Sequence, residues 1–347
     1  MEVIRSLCRD LKRLTNKNPN LAQWNDAIKI AEKRPELYRF LKNIPYIDSG
    51  NISFDDNIKR LKFGGGCKFD SSEGSIIDWA KTIDPQVIDD LGVDYLAGFE
   101  SLYKILIESV NNHTNPLTYD YKTNHQLIIN KDLVVTSCDV NYFLFYAEKF
   151  CNTFFSYNKD HTLVINLIFE KLSDKHKYVL EKIQNEHKEL LIVLSKTSDN
   201  RKSLYANGRF LILAELFNEG AKSITTVDID CIFIGSVELF HRAMKYNQDS
   251  IGLIISPAIQ FPWYYTMAGF VYFPRNETIL KKLKYLSSLI SSLYTNKDKK
   301  DYWYSDQNAL LIFFIMHEVR VTRVGSEHLR KIWKQVGASS KGLVAPE

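Results

Sequence analysis

From about Gln126 onward, short β-rich runs alternate with helical stretches, and that alternation leaves few folds open to the chain. The strand candidates are 133–137, 163–169, 190–194, 224–227, 251–255, 269–273 and 319–324, each apolar and rich in β-branched or aromatic residues. The helix candidates are 141–151, 175–187, 206–217, 237–246, 278–293 and 306–316. Strand followed by helix, repeated, predicts an α/β domain with a mostly parallel sheet flanked by helices. Ligands in such sheets bind beyond the C-terminal ends of the strands. Asp139 follows the first strand candidate, and Asp228 and Asp230 follow the fourth.

The first part of the chain reads differently. Residues 21–40 have helical spacing, with Pro35 opening a second helix. A longer candidate, 85–110, carries an apolar stripe of Leu91, Tyr95, Phe99, Leu102, Ile105 and Leu106. The Gly64-Gly65-Gly66 run between them lacks the Lys-Ser/Thr of a phosphate-binding loop and reads as a turn. The expected organisation is an N-terminal, mainly helical domain or extension over 1–125, an α/β domain over 126–335, and a tail over 336–347.

Asp228-Ile229-Asp230 is the most chemically pointed motif. In an extended segment alternate side chains share a face, so the two carboxylates are expected to point the same way. Like charges held close among apolar neighbours repel and are costly to desolvate. A hard divalent cation relieves both problems and can then hold a diphosphate.

With 347 residues, 45% hydrophobic and 25% charged, the composition is that of an ordinary globular protein. A net charge of only +4 argues against a nucleic-acid binder. The five cysteines form no CxxC pair, and several sit in apolar runs, which suits reduced thiols in a cytoplasmic setting. Met1 to Asp10 carry charges where a signal peptide needs an apolar stretch. The uncharged stretch 251–273 contains Pro257, Gln260 and Pro262 and divides into two buried strands, so no transmembrane segment is expected.

Five short blocks, in order, resemble the GT-A class of glycosyltransferases, and within it the retaining family that includes glycogenin and bacterial galactosyltransferases. They are Val134 to Phe143, Tyr205-Ala206-Asn207-Gly208-Arg209-Phe210, Val227-Asp228-Ile229-Asp230, Ala268-Gly269-Phe270, and Ser305-Asp306-Gln307-Asn308-Ala309-Leu310. The resemblance covers about 133–333 and implies a nucleoside-diphosphate sugar, most simply a UDP-sugar, as donor, with Mn²⁺ or Mg²⁺ as cofactor and an unspecified acceptor. It implies that Asp139, Asn141 and Tyr142 meet the nucleotide base. Asn141 reads equally as a helix N-cap and Tyr142 as a packed ring. Arg209 is implied near the donor diphosphate or the acidic pair, and reads equally as a salt bridge inside a helix–sheet interface. Asp230 is implied as a metal ligand, Asp228 as metal and ribose contact, and Gly269 as lining the sugar pocket. Asp306 and Gln307 are implied beside the acceptor: Asp306 as general base in an inverting reaction, Gln307 near the anomeric carbon in a retaining one. Ser305 or Asp306 also reads as the cap of an apolar helix.

The chain departs from that family's pattern in two places. Thr266-Met267 stand before Ala268-Gly269 where the family has Asn. The C-terminal metal-binding block is altered, leaving His328 as candidate third ligand against a surface or capping role. Two other readings stand beside the transferase. A haloacid-dehalogenase-like phosphohydrolase also uses Asp-x-Asp after a strand, but on an early strand of its domain. A non-catalytic GT-A-like binding protein is the third.

Overall fold

The computed structural model describes residues 115–120, 125–245, 248–255, 266–295, 305–316, 319–324, 329 and 331–335. The expected N-terminal helices, the tail and His328 lie outside the described residues. Strands β1 (Thr118–Asp120), β2 (Asp132–Asp139), β3 (Thr162–Phe169), β4 (Leu190–Lys196), β5 (Ser223–Val227), β7 (Ile251–Ile255), β8 (Thr266–Pro274) and β9 (Val321–Arg323) form one sheet in the order β1-β4-β3-β2-β5-β8-β7-β9. β6 (Cys231–Phe233) pairs with β10 (Trp333–Gln335) in a separate antiparallel ribbon. The helices are α1 (Val140–Tyr157), α2 (Asp174–Glu186), α3 (Lys202–Leu211), α4 (Leu213–Asn218), α5 (Glu238–Met244), α6 (Glu277–Thr295) and α7 (Ser305–Met316). None of the described helices is long and apolar enough to cross a membrane.

β2, β3, β4 and β5 run parallel, and β8 lies antiparallel between β5 and β7. The sheet is therefore mixed, with β1 and β8 opposed to the rest. Its helices cover both faces, which is the Rossmann-like, GT-A-type α/β architecture expected. One core layer joins the sheet to α3, α4, α6 and α7 through residues such as Val135, Leu204, Phe210, Leu286 and Phe313. The other joins it to α1, α2 and α5 through Phe143, Phe150, Phe154, Ile183 and Phe240. Central strands covered on both faces read as unbroken apolar runs, and Leu133, Val134 and Val135 are all fully buried.

Three differences from the expected elements have physical causes. The single helix expected over 206–217 divides at Ile212, whose backbone (φ −86°, ψ −9°) offsets α3 from α4. Leu211, Ile212 and Leu213 are all buried, which the single apolar stripe of one straight helix does not accommodate. β1 lies upstream of residue 126 and covers the outer edge of β4, pairing Thr118 with Lys196. The third difference is that the acidic pair does not continue the pleat: β5 ends at Val227, as the candidate 224–227 does, and Ile229 and Asp230 form a turn.

Gly208 lets α3 approach β2 and β3 closely. A Cβ there would collide with Ile168 Cδ1, and it would lie 3.1 Å from Asn166 Nδ2 and 3.3 Å from Ser137 Cβ. The Asn166 amide donates to the Gly208 carbonyl at 3.1 Å and sets that contact.

At the opposite end of the sheet, His241 of α5 is buried beside His161, with ring centroids 5.3 Å apart, and its Nε2 bonds Thr225 Oγ1 at 2.8 Å. Burial first, then His161, pushes the His241 imidazole down to about 4; Asp132 and Glu238 oppose the shift and Lys222 adds to it. A histidine depressed in the fold stays neutral while the unfolded chain takes up a proton. Its contribution is therefore complete above the ordinary value and is lost as pH falls from about 6.5 towards 4. Burial also lowers His161, so the two act in the same direction. The expected loss from His241 is on the order of 3 kcal/mol across that window. Urea midpoints measured against pH should fall steeply in the native chain and less steeply in His241→Gln; equal slopes would contradict this account.

Candidate active site

The C-terminal rim of the parallel strands gathers side chains from β2, α3, the turn after β5, β8 and α7. Arg209 organises them. Its side chain is only 2% exposed, and the close approach at Gly208 carries it against the rim. Nη1 donates to Asp228 Oδ1 at 2.9 Å and to the Ala206 carbonyl at 2.9 Å. Nη2 donates to Asp306 Oδ2 at 2.9 Å and to the Ala268 carbonyl at 3.2 Å. Arg209 is thus a buried ion pair in a helix–sheet interface, and one of its two acidic partners is the first acid of Asp228-Ile229-Asp230. Its Nε is buried without a hydrogen-bond partner among the described residues.

Ser137, near the end of β2, fixes the helix that carries Arg209. Its Oγ accepts the Arg209 backbone N–H at 2.9 Å and donates to the Tyr205 carbonyl at 2.5 Å. Ser137 falls within the first of the five blocks, where it carries no assigned role. Only its position two residues before Asp139 at a strand end pointed to it.

Asp228 and Asp230 follow β5 and lie in the chain that turns after it, not in an extended segment as expected. Both are partly exposed and flank Ile229, which is buried. The β5 alternation carries through to Asp228, which faces the α3–α7 side and bonds Arg209. The turn then brings Asp230 towards α1. Burial, followed by the charge of Asp230, holds the Tyr142 and Tyr146 phenols above their ordinary value.

Gly269 lies directly against Asp228. A Cβ on Gly269 would come within 2.7 Å of Asp228 Oδ2 and 3.5 Å of Trp333 Cη2. Trp333 reaches this position because β10 pairs with β6, placing it opposite Phe233. That contact was not legible from the chain, since it joins residues far apart in sequence.

Asp306, at 15% side-chain exposure, accepts the Gln307 backbone N–H at 2.8 Å through Oδ1 as well as pairing with Arg209. Burial pushes its carboxyl above the ordinary value, Arg209 pulls it down, and Asp228 raises it further. α7 begins at Ser305, whose hydroxyl is taken by Asn207 rather than by the helix that follows. The Gln307 carbonyl accepts the Thr266 hydroxyl at 2.6 Å, tying α7 to β8.

Asp139 ends β2 and caps α1, accepting the Tyr142 N–H at 2.7 Å. The cap is therefore Asp139 and not Asn141, which is exposed in the first turn. Burial raises the Asp139 carboxyl, against the pull of the Tyr142 and Asn141 N–H groups and Lys202. Tyr142 is 43% exposed, not packed inside, and its ring lies 5.4 Å from that of Tyr146. Among the described residues, no three His, Cys, Asp or Glu side chains form a metal-binding group.

No family model matches the chain, and no curated protein matches it. Solved structures do. The WbbM bifunctional glycosyltransferase in its apo form is 15% identical over 62% of this chain and 41% of its own, with a TM-score of 0.38. The galactosyltransferase LgtC, in complex with donor and acceptor sugar analogues, is 16% identical over 56% of this chain and 73% of its own, with a TM-score of 0.38. Mouse xyloside xylosyltransferase 1 is 10% identical over 56% of this chain and 85% of its own, with a TM-score of 0.37. This chain thus spans less than half of the first. Similarity at this level assigns no residue a role, and the functional reading rests on the geometry of the rim.

Proposed function

We propose that the chain is a metal-dependent glycosyltransferase that moves a sugar from a nucleoside-diphosphate sugar, UDP-linked in the first instance, to an acceptor hydroxyl. The observation that carries this reading is the Asp228–Arg209–Asp306 bridge at the C-terminal rim of the sheet. One guanidinium faces two carboxylates there, and Asp230 adds another acid two residues on. Carboxylate oxygens gathered in this way suit a hard divalent cation.

Asp228, through Oδ2, and Asp230 are the residues proposed to hold that ion, with His328, which lies outside the described residues, as third ligand. Mn²⁺ or Mg²⁺ bound there would offset the charge developing on a departing nucleoside diphosphate. Arg209 holds Asp228 in place for that task and keeps Asp306 beside it. Tyr142 offers a half-exposed ring for stacking on a base, with Asp139 and Asn141 as its polar partners. Gly269 leaves room for the sugar next to Asp228. A carboxyl raised by burial makes Asp306 a better proton acceptor for an acceptor hydroxyl in an inverting reaction, while Gln307 is proposed beside the anomeric carbon in a retaining one. The free, buried thiols of Cys138, Cys151 and Cys231 suit a cytoplasmic site of action.

The phosphohydrolase reading wants its acidic pair on an early strand of the domain. Here the pair follows β5, after β2, β3 and β4. The transferase reading is tested on the full chain by thermal unfolding with UDP and Mn²⁺. A ligand at about a hundred times its Kd should stabilise the fold by about 2.7 kcal/mol, and EDTA should reverse the shift. Asp230→Ala should remove the Mn²⁺-dependent part and abolish turnover of UDP-sugars. Turnover that survives EDTA or Asp230→Ala would refute the metal role, and a shift without turnover of any UDP-sugar would make the chain a binding protein.

A further inference from the structure

Two residues of α3 grip the start of α7, and only Arg209 belongs to the bridge described above. The other is Asn207, which is fully buried. Its Nδ2 donates to Ser305 Oγ at 2.7 Å and to Tyr294 Oη at 2.6 Å. Tyr294 in turn donates to Ser203 Oγ at 3.1 Å. The backbone around Tyr294 is held by Arg201, which donates to the Leu293 carbonyl at 2.7 Å and the Tyr294 carbonyl at 2.9 Å. Arg201 also lies 4.8 Å above the Tyr294 ring and pairs with Asp199. One amide therefore ties the last turn of α6 and the first residue of α7 to α3.

Among the described residues Asn207 Oδ1 has no hydrogen-bond partner. A buried acceptor left unpaired weakens a fold, so the amide is kept here at a cost. What the amide supplies is a fixed distance. Ser305 is held by Asn207 and the adjacent Asp306 by Arg209, on the two sides of Gly208. Two attachments on neighbouring residues set both the position and the rotation of the helix start.

We propose that Asn207 is a positioning residue, which through Ser305 sets the first turn of α7 so that the Asp306 carboxylate meets Arg209 beside the acidic pair. The inference rests on the transferase reading for its catalytic consequence, and on the hydrogen bonds alone for the placement of Asp306. Arg209 holds the charge of Asp306, whereas Asn207 bonds Ser305 and Tyr294 and reaches Asp306 through Ser305.

Two measurements on the full chain keep the two readings apart. With Mn²⁺ and UDP-hexoses as donors, kcat for donor hydrolysis is expected to fall about tenfold or more in Asn207→Ala and Ser305→Ala, since small misplacements near the chemistry are costly. KM should stay within about twofold of the native value, because donor contacts are untouched. Ser305→Thr, which keeps the hydroxyl, should restore turnover, and the double variant should lose no more than Asn207→Ala alone. Independently of turnover, the Asp306 carboxyl is followed by ¹³C NMR in aspartate-labelled protein and identified by its absence in Asp306→Asn. Its titration midpoint should move in Ser305→Ala and return in Ser305→Thr. A native chain that hydrolyses no UDP-hexose would sink the transferase reading while the titration still decides the placement. An Asp306 midpoint unchanged in both Asn207→Ala and Ser305→Ala overturns the inference. Ser305→Ala removes a single hydroxyl and provides the answer if Asn207→Ala fails to fold.

Discussion

Arg209→Ala is expected to destabilise the fold by about 3–5 kcal/mol and to abolish sugar transfer, because breaking a buried ion pair leaves charge uncompensated. The guanidinium makes four contacts, to Asp228, Asp306 and the carbonyls of Ala206 and Ala268. Its loss leaves two facing carboxylates with no cation between them, and Asp306, already raised by burial, should rise further. Arg209→Lys keeps the charge but cannot reach both acids with a planar fork, so it should recover only part of the stability. A second substitution makes the test sharper. In Arg209→Met with Asp306→Asn, one of the stranded charges is gone, and stability should return in part while activity does not. Denaturant midpoints and UDP-sugar turnover measure the two effects separately. If Arg209→Ala proves as stable as the native chain, the bridge is not what holds the rim together.

Gly269→Ala is expected to weigh the other way: a smaller loss of stability than Arg209→Ala and a loss of about 10–100-fold in Mn²⁺-dependent UDP binding, the range seen when groups supporting a metal ligand are disturbed. The new Cβ would sit 2.7 Å from Asp228 Oδ2. The carboxylate must yield, yet its other oxygen is pinned to Arg209 at 2.9 Å. Any rotation therefore moves the oxygen proposed for the ion or strains the Arg209 contact. Trp333 Cη2, 3.5 Å from the same point, is in ordinary contact and takes no strain. Calorimetric titration of UDP with and without Mn²⁺ separates the outcomes. Unchanged Mn²⁺-dependent affinity in Gly269→Ala would remove Asp228 from the proposed ion site.

Much of this was legible along the chain because it depends on neighbours in sequence. Central strands buried on both faces must be apolar from end to end, so β2, β3, β4, β5 and β7 stood out with only their limits adjusted. The helices between them followed from spacing, and the chain order placed Asp139, Asp228 and Asp306 at element ends. The short pieces were not legible. β1 and β10 are three residues each, and they become strands only because β4 and β6 offer an edge. The break at Ile212 depends on where the core lies, which the local pattern does not state.

The sequence by itself determined the layered α/β class and put Asp139 and Asp228 at strand ends, since periodicity and strand-end position are local properties; Asp306 was reached only through the resemblance. Only the tertiary structure decided how those acids are paired. Arg209 lies between Asp228 and Asp306 because Gly208 lets α3 press onto β2 and β3, and because Asn207 holds the start of α7. Ile229 and Asp230 form a turn where a continued strand would have set the alternation of the acidic pair. Such contacts join residues up to 98 positions apart, and burial and charge compensation select them only once the layers have closed.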